Sequence, residues 1–598
     1  MTGAREAIER ALRLLRGGDL VGAGRGVERG LRAAPDDPGL LRLMGYVLQT
    51  QERFAEAAAC YEKVVARDPR DWEIWNNLGN ARRAAGDRGG AIEALAEARR
   101  LRPDLPAIHY NLGVSLAEAG RLEEGAHAFA EAARLAPDNP GALLELGKTL
   151  RLLGRHDEAL PPLARADALA PGTPDIALER GRALSGLGRY DEAERAYRAA
   201  LAAQPGLAAA FLERGLLLER SNRLERLPAL LGEAESQGVP PVALAHLHAL
   251  ALERDGRLGE ALAEARKVSE TDDPVRWAGL IGRLADRLDD APEAFAAYAE
   301  MNRLVAAAHP GAQDGASAYR AHVAALTEML TPSYVRDWPE TPPEGGRAAP
   351  VFLVGFPRSG TTLLDTLLMG HGEIHVLEEE PILQRVGEAL GDFARLPGLD
   401  AAGVERLRAL YFAELDAFDP RARGKLVVDK LPLNILGAPL IHRLFPEAKL
   451  IFAERHPCDV VLSCFMQHFE VNDAMANFLD LGDAARLYDL VLGFWTKCRA
   501  LLPLDVHELR YEALVADKEG EMLALIAFLG LDWDDRVLDN QGTAVRRGLI
   551  ATPSYAQVAQ PIYKRASGRW RRYRAQLAPV LPILMPWAER LGYEAEDD

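Results

Sequence analysis

The sequence predicts a multidomain chain: an all-α superhelix of paired-helix repeats, followed by an α/β, P-loop-like domain with a central parallel sheet flanked by helices. Three observations lead there. Proline, glycine and small residues recur at 34-residue steps over roughly the first 240 residues. Short apolar runs alternate with amphipathic helical stretches from Val351 onward, and a Gly-containing turn joins the first of those runs to a helix start. At 598 residues the chain is also too long for one hydrophobic core.

The ruler is set by prolines at Pro35, Pro69, Pro103, Pro137, Pro171 and Pro205, and by glycines at Gly45, Gly79, Gly113, Gly147, Gly181 and Gly215. Small residues keep the same interval at Ala57, Ala91, Gly125, Ala159 and Ala193. Within one unit, IHYNLGVSLAEAG reads as a first helix, LEEGAHAFAEAARLA as a second and PDNP as the turn that follows. Pro137 ends the second helix because it lacks an N–H and clashes with the preceding turn. Gly113 and Gly125 fall where two helices approach closely. A 34-residue helix–turn–helix unit such as YNLGVSLAEAGRLEEGAHAFAEAARLAP resembles the tetratricopeptide repeat. The resemblance implies a surface that recruits a protein or peptide partner.

Two weaker units, VALAHLHALALERDGRLGEALAEARKVSE and RWAGLIGRLADRLDDAPEAFAAYAEMNRL, lose the Gly and Pro ruler, as terminal repeats do. The solenoid is therefore expected over residues 1–305. Residues 306–349 read as a helical spacer (YRAHVAALTEML) and a Pro/Gly linker (PETPPEGGRAAP), and residues 350–598 as the second domain. There VFLVGF, LVVDK, KLIFAER and DVHELR are the expected strands, separated by helical stretches as in a parallel sheet.

Composition narrows the partners. A formal net charge of −17 opposes general binding to nucleic acid or anionic membranes. The four cysteines, Cys60, Cys458, Cys464 and Cys498, have no metal-ligand spacing and form no disulfide framework, which fits a reducing compartment. No transmembrane run and no apolar leader segment is read, so a cytoplasmic location is the expectation. No motif reports the oligomeric state.

The chemistry begins at VFLVGFPRSGTTLLDTLL, a buried strand, a tight turn and a helix start. Backbone N–H groups at such a helix N-terminus favour a phosphate-sized anion. Gly355 and Gly360 have the GxxxxG spacing of a nucleotide loop, and Thr361 and Thr362 follow; the lysine of GxxxxGK[ST], which reaches the terminal phosphates of a triphosphate, is replaced by Thr361. With Arg358 in the loop instead, the cradle over Pro357, Arg358, Ser359, Gly360, Thr361 and Thr362 suits a 5′-phosphate bearing one further anionic group. In KLIFAERHPCDVVLSCFMQHF, Arg455 ends a strand and Ser463 follows inside a helix; a forked cation and a hydroxyl then address one anion.

FLVGFPRSGTTLL resembles the 5′-phosphosulfate loop of the sulfotransferase family, most closely its protein-tyrosine sulfotransferases, over about residues 345–595. The resemblance implies 3′-phosphoadenosine 5′-phosphosulfate as donor, adenosine 3′,5′-bisphosphate as product and no metal. It places Arg455 and Ser463 on the 3′-phosphate and Tyr511, in LRYEAL, near the adenine; a half-buried core tyrosine is the plainer reading. YKRASGRWRRYR is similar to the family's RKGxxGDWK segment, with Gly568 and Trp570 matching and Lys564 as the cation for the 3′-phosphate; Tyr563, Arg565 and Arg569 depart from it. Six cations over residues 564–574 in so acidic a chain call for a compensating anion.

For the base, HVLEEEPILQRV offers Glu378, Glu379 and Glu380, whose repulsion and partial burial raise at least one pKa. Acids that stabilise a helix dipole are the structural alternative. Aligning Arg358 and His371 with the tyrosine-sulfotransferase pattern puts the catalytic glutamate on Glu379, with Glu378 as runner-up. The same resemblance assigns leaving-group stabilisation to Arg358, Lys430 and Ser554, while Gln560 replaces a family lysine. The function expected is sulfuryl transfer to a hydroxyl on a protein, peptide or saccharide delivered by the repeats. The alternative is a repeat scaffold whose C-terminal domain binds nucleotide without turnover; donor-dependent transfer separates the two.

Overall fold

The glycine ruler is a packing device. In the computed structural model, which describes residues 2–221, 223–267, 273–336, 338, 347–547 and 567–593, helices of 13 and 14 residues alternate through the repeats, for example Pro106–Glu118 with Leu122–Leu135 and Pro140–Leu152 with His156–Leu169. A Cβ placed on Gly45, Gly79 or Gly113 would lie 2.5, 2.5 or 2.8 Å from Tyr61, Leu95 or Phe129. Gly147 and Gly181 stand in the same relation to Leu163 and Tyr197. Each missing side chain thus admits a large residue from the paired helix, sixteen positions on, and these five large residues are all buried. A Cβ on Gly125 would meet the backbone of the first helix, 3.3 Å from the Gly113 carbonyl. The turn between paired helices needs a positive φ, supplied by Gly86, Gly120, Gly154 and Gly188; Glu52 holds the equivalent place with φ 60°.

The chain divides into two compact units, Met1–Leu244 and Ala245–Asp598. The first is the all-helical repeat superhelix. The second opens with the helices Ala245–Arg254, Leu258–Ala265, Pro274–Arg287, Ala291–Ala308 and Ala312–Met329. By compactness, then, the two weak repeat units before residue 305 group with the sheet domain. The repeat register nonetheless persists past Leu244, because the Arg257–Glu260 pair continues the series Arg155–Glu158 and Arg189–Glu192. Within the second unit, buried Asn302 donates to the Phe465 carbonyl at 2.9 Å and Phe295 stacks on Phe465 at 4.9 Å, fixing the Ala291–Ala308 helix to the sheet's flank.

The sheet has five parallel strands: β1 (Val351–Gly355), β2 (Ile374–Glu378), β3 (Leu426–Lys430), β4 (Lys449–Glu454) and β5 (Asp505–Arg510), in the order β2-β3-β1-β4-β5. Four are the apolar runs read from sequence. β2, written IHVLE, is the fifth, with only two of its residues fully buried. β1 is buried at every position because helices cover both faces: Phe352 and Val354 join one core, Val351 and Leu353 the other. From β1 the chain first builds β2 and β3 on one side, then crosses to β4 and β5 on the other. Such a reversal opens a crevice at the strands' C-terminal ends.

Gly113→Ala forces a methyl against the buried Phe129 ring and should cost about 1–3 kcal/mol of repeat stability. Thermal unfolding of the full chain checks this; an unchanged repeat transition counts against the packing account.

Candidate active site

Every strand of the sheet delivers a candidate residue at its C-terminal end. β1 runs into the loop carrying Arg358, β2 into Glu379, β3 ends on Lys430, β4 runs into Arg455 and β5 into Tyr511. Arg358, Glu379, Arg455 and Tyr511 line one cavity of about 1150 Å³ in the second unit, together with Pro357, Gly360, Thr361 and Thr362. Parallel strands send all five ends to one edge, and this places residues far apart in sequence together.

The loop is shaped by its backbone. Arg358 has φ 71°, a left-handed conformation costly for a side-chain-bearing residue, and Gly360 has φ 99°. Gly360 is the N-cap of the Thr361–Leu368 helix and brings no capping side chain, so no cap competes with a ligand for the Thr361 and Thr362 N–H groups. A Cβ on Gly360 would lie 2.6 Å from the Tyr511 ring, and one on Gly355 would lie 2.7 Å from the Ala453 carbonyl and 3.0 Å from Ser359 Oγ. The Ser359 hydroxyl is 3% exposed and has no hydrogen-bond partner among the described residues. A buried hydroxyl left so needs an acceptor, which an anion in the cradle would supply.

Arg455 and Ser463 come together with the loop. Arg455 Nη1 donates to the Arg358 carbonyl at 3.0 Å, and Arg358 Nε donates to Ser463 Oγ at 3.2 Å. The Arg455 guanidinium lies 4.8 Å over the Tyr511 ring, so Tyr511 is both a cavity wall and a support for the cation. The Cys464 thiol donates to the Pro357 carbonyl at 3.3 Å, pinning the loop from below.

At the other end of the loop helix, the ammonium of Lys430 is wholly buried. Its Nζ lies 2.7 Å from Glu379 Oε1, 3.2 Å from Asp365 Oδ2 and 3.6 Å from Glu378 Oε1. Of the candidate glutamates, Glu379 has the side chain that is 43% exposed and lines the cavity, while that of Glu378 is 19% exposed. Glu379 adopts φ 51°, and its N–H donates to the Lys430 carbonyl at 2.8 Å, one bond past the end of β2. His371, used to align the glutamates, is a buried structural residue whose Nε2 lies 2.9 Å from the Asp532 carbonyl.

Two arginines of the basic C-terminal segment find their anions inside the chain. Arg569 lies 3.5 Å from Asp286, and Arg572 pairs with Asp286 and Asp289. Tyr573 donates to Asp286 at 2.7 Å. The expectation that this cation density marks a bound anion is corrected for these two arginines. The Gly568 and Trp570 N–H groups both donate to Asp459 at 2.7 Å, and Asp459 stands one turn before Ser463 on the Pro457–Phe465 helix. Burial pushes the Asp459 carboxyl upward. Ser554, Gln560, Tyr563, Lys564 and Arg565 lie outside the described residues.

Residues 350–535 match the sulfotransferase family, and residues 42–106, 110–174 and 178–226 match the tetratricopeptide repeat. The chain joins tetratricopeptide repeats to a sulfotransferase-family domain. It is 33% identical over 261 residues to an uncharacterized protein of Aquifex aeolicus, covering 40% of this chain and 33% of that one. It is 26% identical over 271 residues to protein-tyrosine sulfotransferase 2 of Gallus gallus, covering 41% of this chain and 69% of the relative. Protein-tyrosine sulfotransferase 1 of Danio rerio is 25% identical over 261 residues, with coverages of 41% and 72%. The alignment with the Aquifex protein thus spans about a third of that protein's length.

Several residues of the sulfotransferase-family domain escaped the sequence reading. Asp365 is a carboxylate inside the apolar run TTLLDTLL, wholly buried against Lys430; a lone charge in such a run was the available signal. Asp429, beside Lys430 on β3, accepts from Tyr411 at 2.6 Å and from Asn434 at 3.2 Å. Burial raises its carboxyl to about 7. No described helix is long and apolar enough to cross a membrane.

A folded-state pKa raised above the unfolded value near 4 means that Asp429 favours the native state in acid. That contribution is lost as pH rises from about 4 to about 7. Asp429→Asn removes the ionisation, so the stability of the variant relative to the parent should rise over this interval by up to about 1.4 kcal/mol per pH unit. Parallel denaturation series at pH 4 and pH 8 read the difference; a flat difference overturns the assignment.

Proposed function

We propose that the chain transfers a sulfuryl group from 3′-phosphoadenosine 5′-phosphosulfate to a hydroxyl acceptor. One observation carries the reading: an anion cradle without the triphosphate lysine shares a cavity wall with a glutamate that touches a buried lysine. The match of residues 350–535 to the sulfotransferase family supports it. The residues present fit the donor. The Ser359 hydroxyl, without a hydrogen-bond partner among the described residues, the side-chain-free Gly355 and Gly360, and the uncapped helix N-terminus suit the 5′-phosphosulfate. Arg455 and Ser463 suit the 3′-phosphate, and Tyr511 the base. Ser554 and Lys564 remain proposed contributors to leaving-group and 3′-phosphate binding.

When bound, the donor supplies an activated sulfuryl group on a phosphate leaving group. The acceptor oxygen bonds to sulfur as the bond from sulfur to the phosphate oxygen breaks. The acceptor's proton passes to Glu379, and adenosine 3′,5′-bisphosphate departs. Glu379 is placed at the cavity wall by its left-handed backbone. Lys430 and Arg358 offer fixed positive charge where the leaving phosphate gains negative charge. Lys430 needs no solvent rearrangement to do so, because Asp365 already holds it beneath the loop helix.

The repeats, on this reading, recruit a protein or peptide partner. In the first unit Tyr46, Gln49, Thr50, Tyr61 and Asn77 line a small pocket of about 350 Å³.

Incubation of the full chain with radiolabelled donor and an acceptor panel tests the activity. Glu379→Gln should lower transfer by at least about 100-fold while retaining affinity for adenosine 3′,5′-bisphosphate. Arg455→Ala should weaken that nucleotide by about 1.5–3 kcal/mol in calorimetry. Tight capture of ATP with no binding of the bisphosphate overturns the reading.

A further inference from the structure

Asp286 sits in the last turn of the Pro274–Arg287 helix, where a carboxylate opposes the helix dipole, and it is only 6% exposed. A buried charge so placed destabilises its own helix, so its reason lies in its partners. It accepts from the Tyr573 hydroxyl at 2.7 Å and pairs with Arg572 at 3.3 Å and Arg569 at 3.5 Å. Its backbone carbonyl accepts from Arg572 Nη1 at 3.1 Å. These contacts gather on one short turn, Arg569–Tyr573. Helix and turn both lie outside the stretch matched to the sulfotransferase family.

The same turn reaches the candidate 3′-phosphate site. The Gly568 and Trp570 N–H groups each donate to Asp459 at 2.7 Å, and the Trp570 ring stacks on His456, next to Arg455, with centroids 4.9 Å apart. Arg569 Nη1 also donates to Met466 Sδ at 3.6 Å, at the end of the Pro457–Phe465 helix. Asp459 stands four residues after Arg455 and four before Ser463, and is 1% exposed. Burial disfavours its charged form; the Arg455 guanidinium opposes that most, ahead of the two N–H bonds and of Arg569. Asp459 is thus a rival anion for the guanidinium that a 3′-phosphate needs. The two N–H donors restrain the rivalry, because a carboxylate whose lone pairs are engaged gains less from a further cation.

We propose that Asp286 is a positioning residue for the 3′-phosphate of the nucleotide. This rests on the sulfuryl-transfer reading, in which Arg455 and Ser463 take that phosphate. Asp286 acts through other residues. It anchors Arg569, Arg572 and Tyr573, which keeps the Gly568 and Trp570 N–H groups on Asp459 and leaves Arg455 to the phosphate. A helix that precedes the sheet thereby sets how strongly the site distinguishes a 3′-phosphorylated nucleotide from one without that group.

Adenosine 3′,5′-bisphosphate and adenosine 5′-monophosphate differ only in the 3′-phosphate. Calorimetry on the full chain, with the monophosphate measured by displacement, gives the ratio of their affinities. Asp286→Asn should lower that ratio by about tenfold or more through weaker bisphosphate binding, and change monophosphate affinity by about twofold or less. Asp286→Glu keeps the charge and should hold the ratio within about threefold of the parent. Tyr573→Phe removes one bond to Asp286, leaves the ring in place and should lower the ratio by about threefold. An unchanged ratio in Asp286→Asn overturns the proposal, as does equal weakening of both nucleotides, the mark of general loosening. Should that variant not fold, an unchanged ratio in Tyr573→Phe overturns it instead. A parent chain that binds the two nucleotides alike overturns the assignment of Arg455 and Ser463 to the 3′-phosphate, and this proposal with it.

Discussion

The Lys430 ammonium, stripped of water at the C-terminal edge of the sheet, is the point on which the second unit turns. A buried cation needs close anionic partners, because removing one of them leaves an uncompensated charge in a poorly polarisable interior. Asp365, Glu378 and Glu379 meet that need from two separate elements, the loop helix and the end of β2. The ion cluster therefore locks the helix that opens the anion cradle to the strand that delivers the candidate base. It also accounts for the left-handed backbone at Glu379, whose N–H is tied to the carbonyl of Lys430 while its carboxylate meets the ammonium of the same residue.

A second constraint works beside it. The loop around Arg358 is held in a conformation that residues with side chains avoid, by contacts from three directions: Arg455 on its carbonyl, Ser463 on its guanidinium and Cys464 on the neighbouring carbonyl. All three come from one short stretch, the end of β4 and the helix after it. That helix is in turn capped to the C-terminal segment through Asp459 and packed on the Ala291–Ala308 helix through Phe465. The cradle is thus braced by elements before and after the matched stretch.

The repeats follow a simpler rule. Glycine against a large buried side chain, repeated at one interval, sets how closely paired helices approach and carries the same pairing from unit to unit. Their exposed Arg–Glu pairs, such as Arg121–Glu124, recur in step yet contribute little to stability in water. They mark the register more than they hold it.

Much was legible in the sequence because the signals are local. The 34-residue ruler, four of the five strands, the loop without its lysine, and Glu379, Arg455 and Tyr511 as candidates all lie in short stretches whose spacing reflects nearby backbone geometry. β2 was passed over because IHVLE is only partly buried and lacks the continuous apolar run of its neighbours. The basic C-terminal run looked like a ligand site because a sequence does not show that Asp286 and Asp289, almost three hundred positions earlier, neutralise Arg569 and Arg572. The sequence determined periodicity, strand-and-helix alternation and the chemical types available. Only the tertiary structure decided which charges meet, since burial and distance set whether a carboxylate pairs with a lysine, holds a backbone turn or faces an open cavity.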